Sequence, residues 1–159
     1  MLTFHNLDGS LIYHFRGLVE AEDCVTDVLL CEQLKCFITA SNKGQIQVWK
    51  YWQNKQLLHK FEGQKGKILS LQSIDKQPDL ILSGSLDSSI RILSLTKYQE
   101  LYIFKLQQGL ANLHFLNHQY FVCIYQNNQI KVGKLNRIAN NFKTTNNPIR
   151  QIIKCYKNE

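Results

Sequence analysis

The sequence has little that would support catalysis, membrane insertion or secretion. No apolar run approaches the roughly 20 residues that a membrane-spanning helix needs. Residues 1–15 carry neither an early positive charge nor a long apolar centre, so they do not resemble a secretory signal. The chain also lacks a glycine-rich phosphate loop, a nucleophile elbow and a convincing pair of carboxylates. We therefore expect a protein that is not an enzyme, with no catalytic residue and no bound cofactor.

Acidic residues are scarce as well, since 12 Asp and Glu stand against 19 Lys and Arg, which leaves a net charge of +7. A basic balance favours acidic partners, such as nucleic acid, acidic protein surfaces or acidic peptide segments, without choosing among them. An incidentally basic surface is the alternative. The five Cys show no Cys-x-x-Cys spacing, and the five His do not combine with them at zinc-ligand spacings. We expect reduced thiols, no metal site, no contact with a membrane and a cytoplasmic location.

What the chain does contain is a repeated pattern. Residues 37–49 (FITASNKGQIQVW) and 81–93 (ILSGSLDSSIRIL) align without a gap. Each combines an apolar strand, a turn of small residues and a strand of alternating apolar and polar residues, which is the pattern of a β-hairpin. A third copy occupies residues 120–133 and a shortened one residues 2–15, so the pattern recurs every 40–45 residues. Such a period, with several short strands per unit, is typical of propeller blades.

The fold class that follows is all-β, a partial β-propeller forming a single domain over residues 1–159. We divide it into a blade end at 1–16, three complete four-stranded blades at 24–62, 67–106 and 109–145, and the start of a next blade at 148–159. A turn is expected at Lys76–Asp79, because proline fixes φ and cannot donate to a ladder. An open stack of blades exposes an apolar face at each end, so the chain is expected to need further blades from the same chain or from another.

Three segments carry a family resemblance. Ser83–Ile92 resembles the turn-and-strand signature of a WD repeat, and Gln45–Lys50 resembles the strand that ends in Trp-Asp, with Lys50 in place of the Asp. Gly63–Ile68 resembles the Gly-His segment that precedes a blade, with Gln64 in place of the His. The chain is therefore identified as similar to WD-repeat β-propellers, with degenerate repeats.

The resemblance implies structural roles for four residues, Thr39, Trp49, Ser83 and Asp87, which match the hydrogen-bonded network that stiffens a WD blade. No blade holds the complete network, since Lys43 stands at the Asp position of one blade and Leu93 at the Trp position of the next. We therefore expect apolar packing to supply most of the stability.

The resemblance also implies a rim on which partners dock. Lys43, Lys65 and Lys67 fall in turns that lie on one rim of a propeller, so they are candidate partner-binding residues, with ordinary solvated loop lysines as the alternative. The function we expect is a non-catalytic scaffold that binds other proteins within a multi-subunit assembly. A composition rich in Asn, Gln, Lys and Ile resembles the coding bias of an AT-rich genome, of the sort that ciliates and some other protists have. This makes a cilium or another cytoskeletal complex one candidate location. The alternative is an RNA-associated protein of the ribosome-biogenesis type, with the basic rim on phosphate.

Overall fold

A computed structural model of the chain describes residues 2–5, 8–15, 22–50 and 56–135, and for the strands within 2–15 it describes the backbone alone. Every regular element in these residues is a β-strand. None of the described residues belongs to a helix of the length and hydrophobicity that crossing a bilayer requires. The strands are β1 (Leu2–His5), β2 (Leu11–Phe15), β3 (Val25–Cys31), β4 (Cys36–Ser41), β5 (Ile46–Lys50), β6 (Leu57–Phe61), β7 (Ile68–Ile74), β8 (Gln77–Ser85), β9 (Ser89–Ser94), β10 (Gln99–Lys105), β11 (Leu110–Phe115), β12 (Tyr120–Tyr125) and β13 (Ile130–Lys134).

The strands form four antiparallel sheets in chain order, here called blades. Blade one contains β1 and β2, blade two β3 to β6, blade three β7 to β10, and blade four β11 to β13. Within each blade, consecutive strands pair with each other, as the short turns between them require. This all-β arrangement of stacked blades confirms the predicted fold class of a partial β-propeller.

The registers show that the blades are structurally equivalent. In blade two Ile38 pairs with Val48, and 44 residues later Leu82 pairs with Ile92 in blade three. In blade four the corresponding pair is Val122 with Val132, after a further 40 residues. Because paired residues on antiparallel strands lie on the same face of the sheet, a position in one blade can be compared directly with its counterpart in the next.

A β-bulge in the first strand of blades two, three and four is a second regularity. It lies between Val25 and Asp27 in β3, and at the equivalent places in β7 and β11. The bulge directs the Asp27 carboxylate to the neighbouring blade, where it accepts a hydrogen bond from the Leu71 N–H at 2.7 Å while its other oxygen accepts one from the Val28 N–H. Asp27 thus connects the first strands of blades two and three.

The hydrophobic core lies between the blades. Between blades two and three, residues on the inward face of the first (Ile38, Ile46 and Val48) pack against those of the second (Ile68, Leu71, Ile81 and Leu93). Between blades three and four, a second cluster combines Leu82, Ile90 and Ile92 with Leu113, Phe115, Phe121 and Cys123. Blade three is therefore apolar on both faces and is stabilised by a blade on each side, as expected for stacked repeats.

One predicted turn is wrong. The turn between β7 and β8 comprises Asp75 and Lys76, and the strand already begins at Gln77, so Pro78 and Asp79 are strand residues. Lys76 supplies the positive φ, 64°, that closes this tight turn. Pro78 is compatible with the strand because it stands near its first residue, where no ladder bond needs its missing N–H.

Several other predictions fall outside the described residues. They include the last part of the third complete blade, at 136–145, and the start of a next blade at 148–159. The division of the chain at the residues given above accordingly stays a prediction.

Candidate functional site

A buried tryptophan hydrogen bond anchors blade two. The Trp49 indole Nε1–H donates to the Thr39 hydroxyl at 3.0 Å across the β4–β5 pair, and both side chains are buried. Phe37 pairs with Trp49 and stacks on it with the ring centroids 6.3 Å apart. These two predicted blade positions, Thr39 and Trp49, therefore lie together.

Blade three keeps part of the same network through a substitution. The Ser83 hydroxyl donates to Oε1 of Gln64 at 3.1 Å, so the Gln64 amide serves as the acceptor although it is not an imidazole. Both residues are buried. The opposite atom, Gln64 Nε2, is buried with no hydrogen-bond partner in the described part of the chain. Gln64 thus fits this position only in part.

Asp87 forms the centre of a polar cluster at the β8–β9 turn. Its carboxylate accepts hydrogen bonds from the Ser89 hydroxyl, the Ser89 N–H and the Lys65 N–H, and Arg91 lies 3.5 Å away. Burial by itself raises the pKa of Asp87, but these bonds together with the Arg91 charge outweigh burial and hold the pKa below its usual value. Asp87 is therefore ionised and holds the loop before blade three against the turn.

Arg91 is a residue whose importance was not evident from the sequence. It is only 7% exposed, forms an ion pair with Glu100 and donates to the Gly63 carbonyl oxygen at 2.6 Å. A buried guanidinium at the middle of a strand needs such partners, because an unpaired charge in the interior is costly. In the sequence, Arg91 is one polar residue in the alternating pattern of β9. A solvent-facing position of a strand has the same pattern, so the burial of Arg91 could not be predicted.

The turn of blade two has the opposite arrangement of charge. Lys43 stands where Asp87 stands in blade three, but its own N–H donates to the Asp23 carboxylate at 3.0 Å. In blade three the carboxylate belongs to the turn and the N–H to the preceding loop, whereas in blade two the carboxylate belongs to the loop and the N–H to the turn. In both blades a hydrogen bond between a carboxylate and a backbone amide fixes the turn. Asp23 was not singled out from the sequence, because only the fold brings residues 23 and 43 together.

The three candidate rim lysines lie on adjoining loops. Lys43, Lys65 and Lys67 are exposed. Gly44, next to Lys43, packs closely on the loop that contains Lys65. A Cβ at Gly44 would overlap the Gln64 carbonyl oxygen and lie 2.9 Å from the Gly66 carbonyl oxygen, and the φ of 86° also favours glycine. The fold therefore brings the loops together, while a role of the lysines in binding stays a prediction.

Blade four presents an apolar face with no cover among the described residues. This open face consists of Tyr120, Val122, Ile124, Ile130, Val132 and Lys134, which alternate with the buried Phe121, Cys123 and Tyr125. Ile130 is 68% exposed and Val132 42%, whereas their counterparts Ile90 and Ile92 in blade three are 0% and 1% exposed. The same positions that form the contact between blades elsewhere thus face solvent here.

The titratable side chains of the described residues are dispersed. The described residues contain no group of three or more His, Cys, Asp and Glu side chains placed to hold a metal ion. His118 lies 3.0 Å from Asp75, where it connects the β11–β12 turn with the β7–β8 turn of the neighbouring blade. This pair acts as a contact between blades.

Comparison with solved structures identifies the fold. The β-propeller domain of Myceliophteria thermophila Cps50 (Swd1) matches 71% of this chain with a TM-score of 0.56 and 14% identity. The C-terminal WD40 domain of Sif2 matches 78% with a TM-score of 0.51 and 16% identity, and U3-55K matches 74% with a TM-score of 0.56 and 17% identity. Comparisons with protein-family profiles and with curated protein sequences find no match.

The fold of the described residues is therefore that of a WD40 β-propeller. The chain spans about a third of each of the three structures, covering 35%, 34% and 38% of their lengths. Identities this low establish the fold and leave the function to be argued from the surfaces.

Proposed function

We propose that this chain is a non-catalytic scaffold segment of a WD40-type propeller, which binds other proteins within a larger assembly. The observation that carries the proposal is the open face of blade four. Its apolar side chains occupy positions that are buried in the two preceding blades, and contiguous exposed apolar surface of this kind marks an interaction site. A further blade is the occupant that fits, because the equivalent faces of blades two and three are covered by a blade.

Burial of this face would contribute substantial free energy. Covering one Val or Ile side chain completely contributes about 1.5–3 kcal/mol, and Ile124, Ile130 and Val132 are all more than a third exposed. Because these side chains are already partly buried, covering each one contributes only the corresponding fraction of that value, and the rest of a blade-sized contact supplies the remainder.

The test is the native mass of the tagged protein isolated from its source. We expect a species larger than the 18.6 kDa chain, either a longer covalent polypeptide or a non-covalent complex. Ile130→Lys, alone or with Val132→Lys, should release the chain from a complex, or lower the melting temperature of a longer polypeptide, because lysine cannot be buried there without a partner. The control is Ile103→Lys, which makes the same change at a 45% exposed residue of β10 outside the open face.

An independent, cooperatively folded species of 18.6 kDa that is indifferent to Ile130→Lys would contradict the proposal. Equal loss of the larger species with Ile103→Lys would also contradict it, since the effect would then not belong to this face.

The rim of Lys43, Lys65 and Lys67 is proposed as a second contact, for an acidic protein surface. Support comes from the exposure of the three lysines, the contact between their loops and the net charge of +7. Reversing the three charges to Glu should weaken the binding of that partner, and unchanged binding would refute the rim. If the partner is instead RNA, binding falls log-linearly and steeply with salt, whereas a packed protein interface is much less sensitive.

For the cellular setting we propose a cytoplasmic, cytoskeletal assembly such as an axonemal complex, supported by the composition and the absence of paired cysteine motifs. Immunofluorescence of the tagged protein tests this, and a nucleolar signal would favour the RNA-associated alternative.

A further inference from the structure

Two cysteines face each other across the first hairpin of blade two. Cys31 is the last residue of β3 and pairs directly with Cys36, the first residue of β4, with the turn Glu32–Lys35 between them. Residues opposite each other on antiparallel strands have Cα atoms about 4.5–5.5 Å apart. That separation falls within the range of about 4.4–6.8 Å that a disulfide spans. The backbone is therefore already placed for a bond between the two sulfurs.

The environments of the two thiols differ. Cys36 is 2% exposed, and burial raises the pKa of its thiol to about 12, with a further contribution from the adjacent Cys31 thiol. Cys31 is half-buried, and its S–H donates to the Pro78 carbonyl oxygen at 3.3 Å, across the boundary between blades two and three.

A pocket is lined by one of the two cysteines and not by the other. It has a volume of about 340 Å³ and lies between the β3–β4 hairpin and the β7–β8 turn, where Cys31, Pro78 and Ser73 line it together with the charged Glu32, Asp75 and Lys76. Cys36 does not line it. A reagent that enters the pocket therefore meets Cys31 first and finds Cys36 behind it.

We propose that Cys31 and Cys36 form a dithiol site that is oxidised by small organic disulfides entering this pocket. Cys31 loses its proton to solvent, and its thiolate attacks one sulfur of the reagent, forming a mixed disulfide and releasing one thiolate of the reagent. Cys36 then loses its proton and attacks the Cys31 sulfur, which forms the Cys31–Cys36 disulfide and releases the second thiolate. The two released thiolates take up the two protons, so the reagent is reduced to two thiols while the protein is oxidised by two electrons.

Oxidation would change the contact between the blades. The Cys31 thiol donates a hydrogen bond to Pro78, and a disulfide sulfur has no proton to donate. The new bond fixes the β3–β4 hairpin while it removes one link from blade two to β8 of blade three. The site thus couples the redox state of two thiols to the boundary between two blades.

The test uses the full chain with Cys24→Ser and Cys155→Ser, which removes an exposed thiol and one outside the described residues. The probe is bis(2-hydroxyethyl) disulfide, which is small and uncharged, so that the charges around the pocket neither attract nor repel it. We expect the intact mass to fall by two hydrogen atoms and peptide mapping without reduction to show a Cys31–Cys36 link. Dithiothreitol should restore both thiols.

A matched variant, Cys36→Ala, separates the two steps. The mixed disulfide at Cys31 should accumulate in this variant, because no second thiol is left to displace the reagent, and Cys31→Ser should remain unmodified at Cys36. The peptide map of the parent chain decides the proposal even if Cys36→Ala fails to fold. A parent chain that retains a stable mixed disulfide at Cys31, reacts at Cys123 instead, or does not react would overturn it.

Discussion

The hydrogen bond between Trp49 and Thr39 offers a direct test of how the degenerate blades are stabilised. Thr39→Val replaces a hydroxyl by a methyl group of nearly the same size, so it removes the acceptor of the indole N–H without opening a cavity. Because both side chains are buried, water cannot replace the lost acceptor. Removing one partner of a buried hydrogen bond costs about 1–3 kcal/mol. We expect Thr39→Val to lower the free energy of unfolding by about 1–2 kcal/mol, and the melting temperature by roughly 2–8 °C at this chain length.

A double-mutant cycle isolates the bond from other effects of the substitution. Trp49→Phe removes the donor, and in that background the Thr39 hydroxyl is buried without its partner. Thr39→Val should then be neutral or stabilising, giving a coupling energy of at least about 1–2 kcal/mol. Thr39→Ser is the matched control, because it keeps the acceptor and loses one methyl group in either background. It should cost a similar amount, about 1 kcal/mol, with Trp49 and with Phe at that position.

The assay is urea unfolding followed by circular dichroism, with the midpoint and the slope compared among the single and double variants. A cost of Thr39→Val that is the same with Trp49 and with Phe at position 49 would refute the reasoning, since the hydroxyl would then not act through the indole. A changed slope would mean that the unfolding is no longer the same two-state process.

Two further predictions concern the rim turns. Gly44→Ala should destabilise the chain by more than about 2 kcal/mol in urea unfolding, because φ is 86° and the new Cβ would overlap the Gln64 carbonyl oxygen. The control is Gly109→Ala, where φ is 82° but the space around the new Cβ is open. It should cost only the backbone strain of about 1–2 kcal/mol. Equal costs would show that the loop moves away freely. Asp87 has a lowered pKa in the folded chain, so the stability it contributes is present above the unfolded value of 3.8 and lost as the pH falls through the lower folded value. Asp87→Asn should therefore flatten the loss of stability in this acid range, and an unchanged pH profile of the urea midpoint would contradict the assignment.

Local pattern determined the repeat and the strands. The alternation of apolar and polar residues at a period of 44 and then 40 residues located both hairpin strands of each blade, because side chains in a strand point alternately to the two faces. The prediction from sequence failed at Pro78, which is a strand residue. The rule that proline interrupts a ladder of hydrogen bonds does not apply there, because this position needs no ladder bond. The turn was predicted from the residue types usual in turns, such as proline. In the structure Lys76, which is not such a residue, adopts the positive φ that closes the turn.

Only the tertiary structure decided which side chains meet. Asp23 with Lys43, Asp27 with Leu71, and Cys31 with Pro78 are separated by 20, 44 and 47 residues, and no local pattern records such separations. The burial of Arg91 and the exposure of Ile130 were likewise undetermined, because β9 and β13 carry similar alternating patterns. Whether an apolar position is core or contact surface depends on whether another blade covers it. The sequence by itself therefore determined the blades and their apolar faces, and the stacking of the blades decided which of those faces is covered by another blade within the described residues.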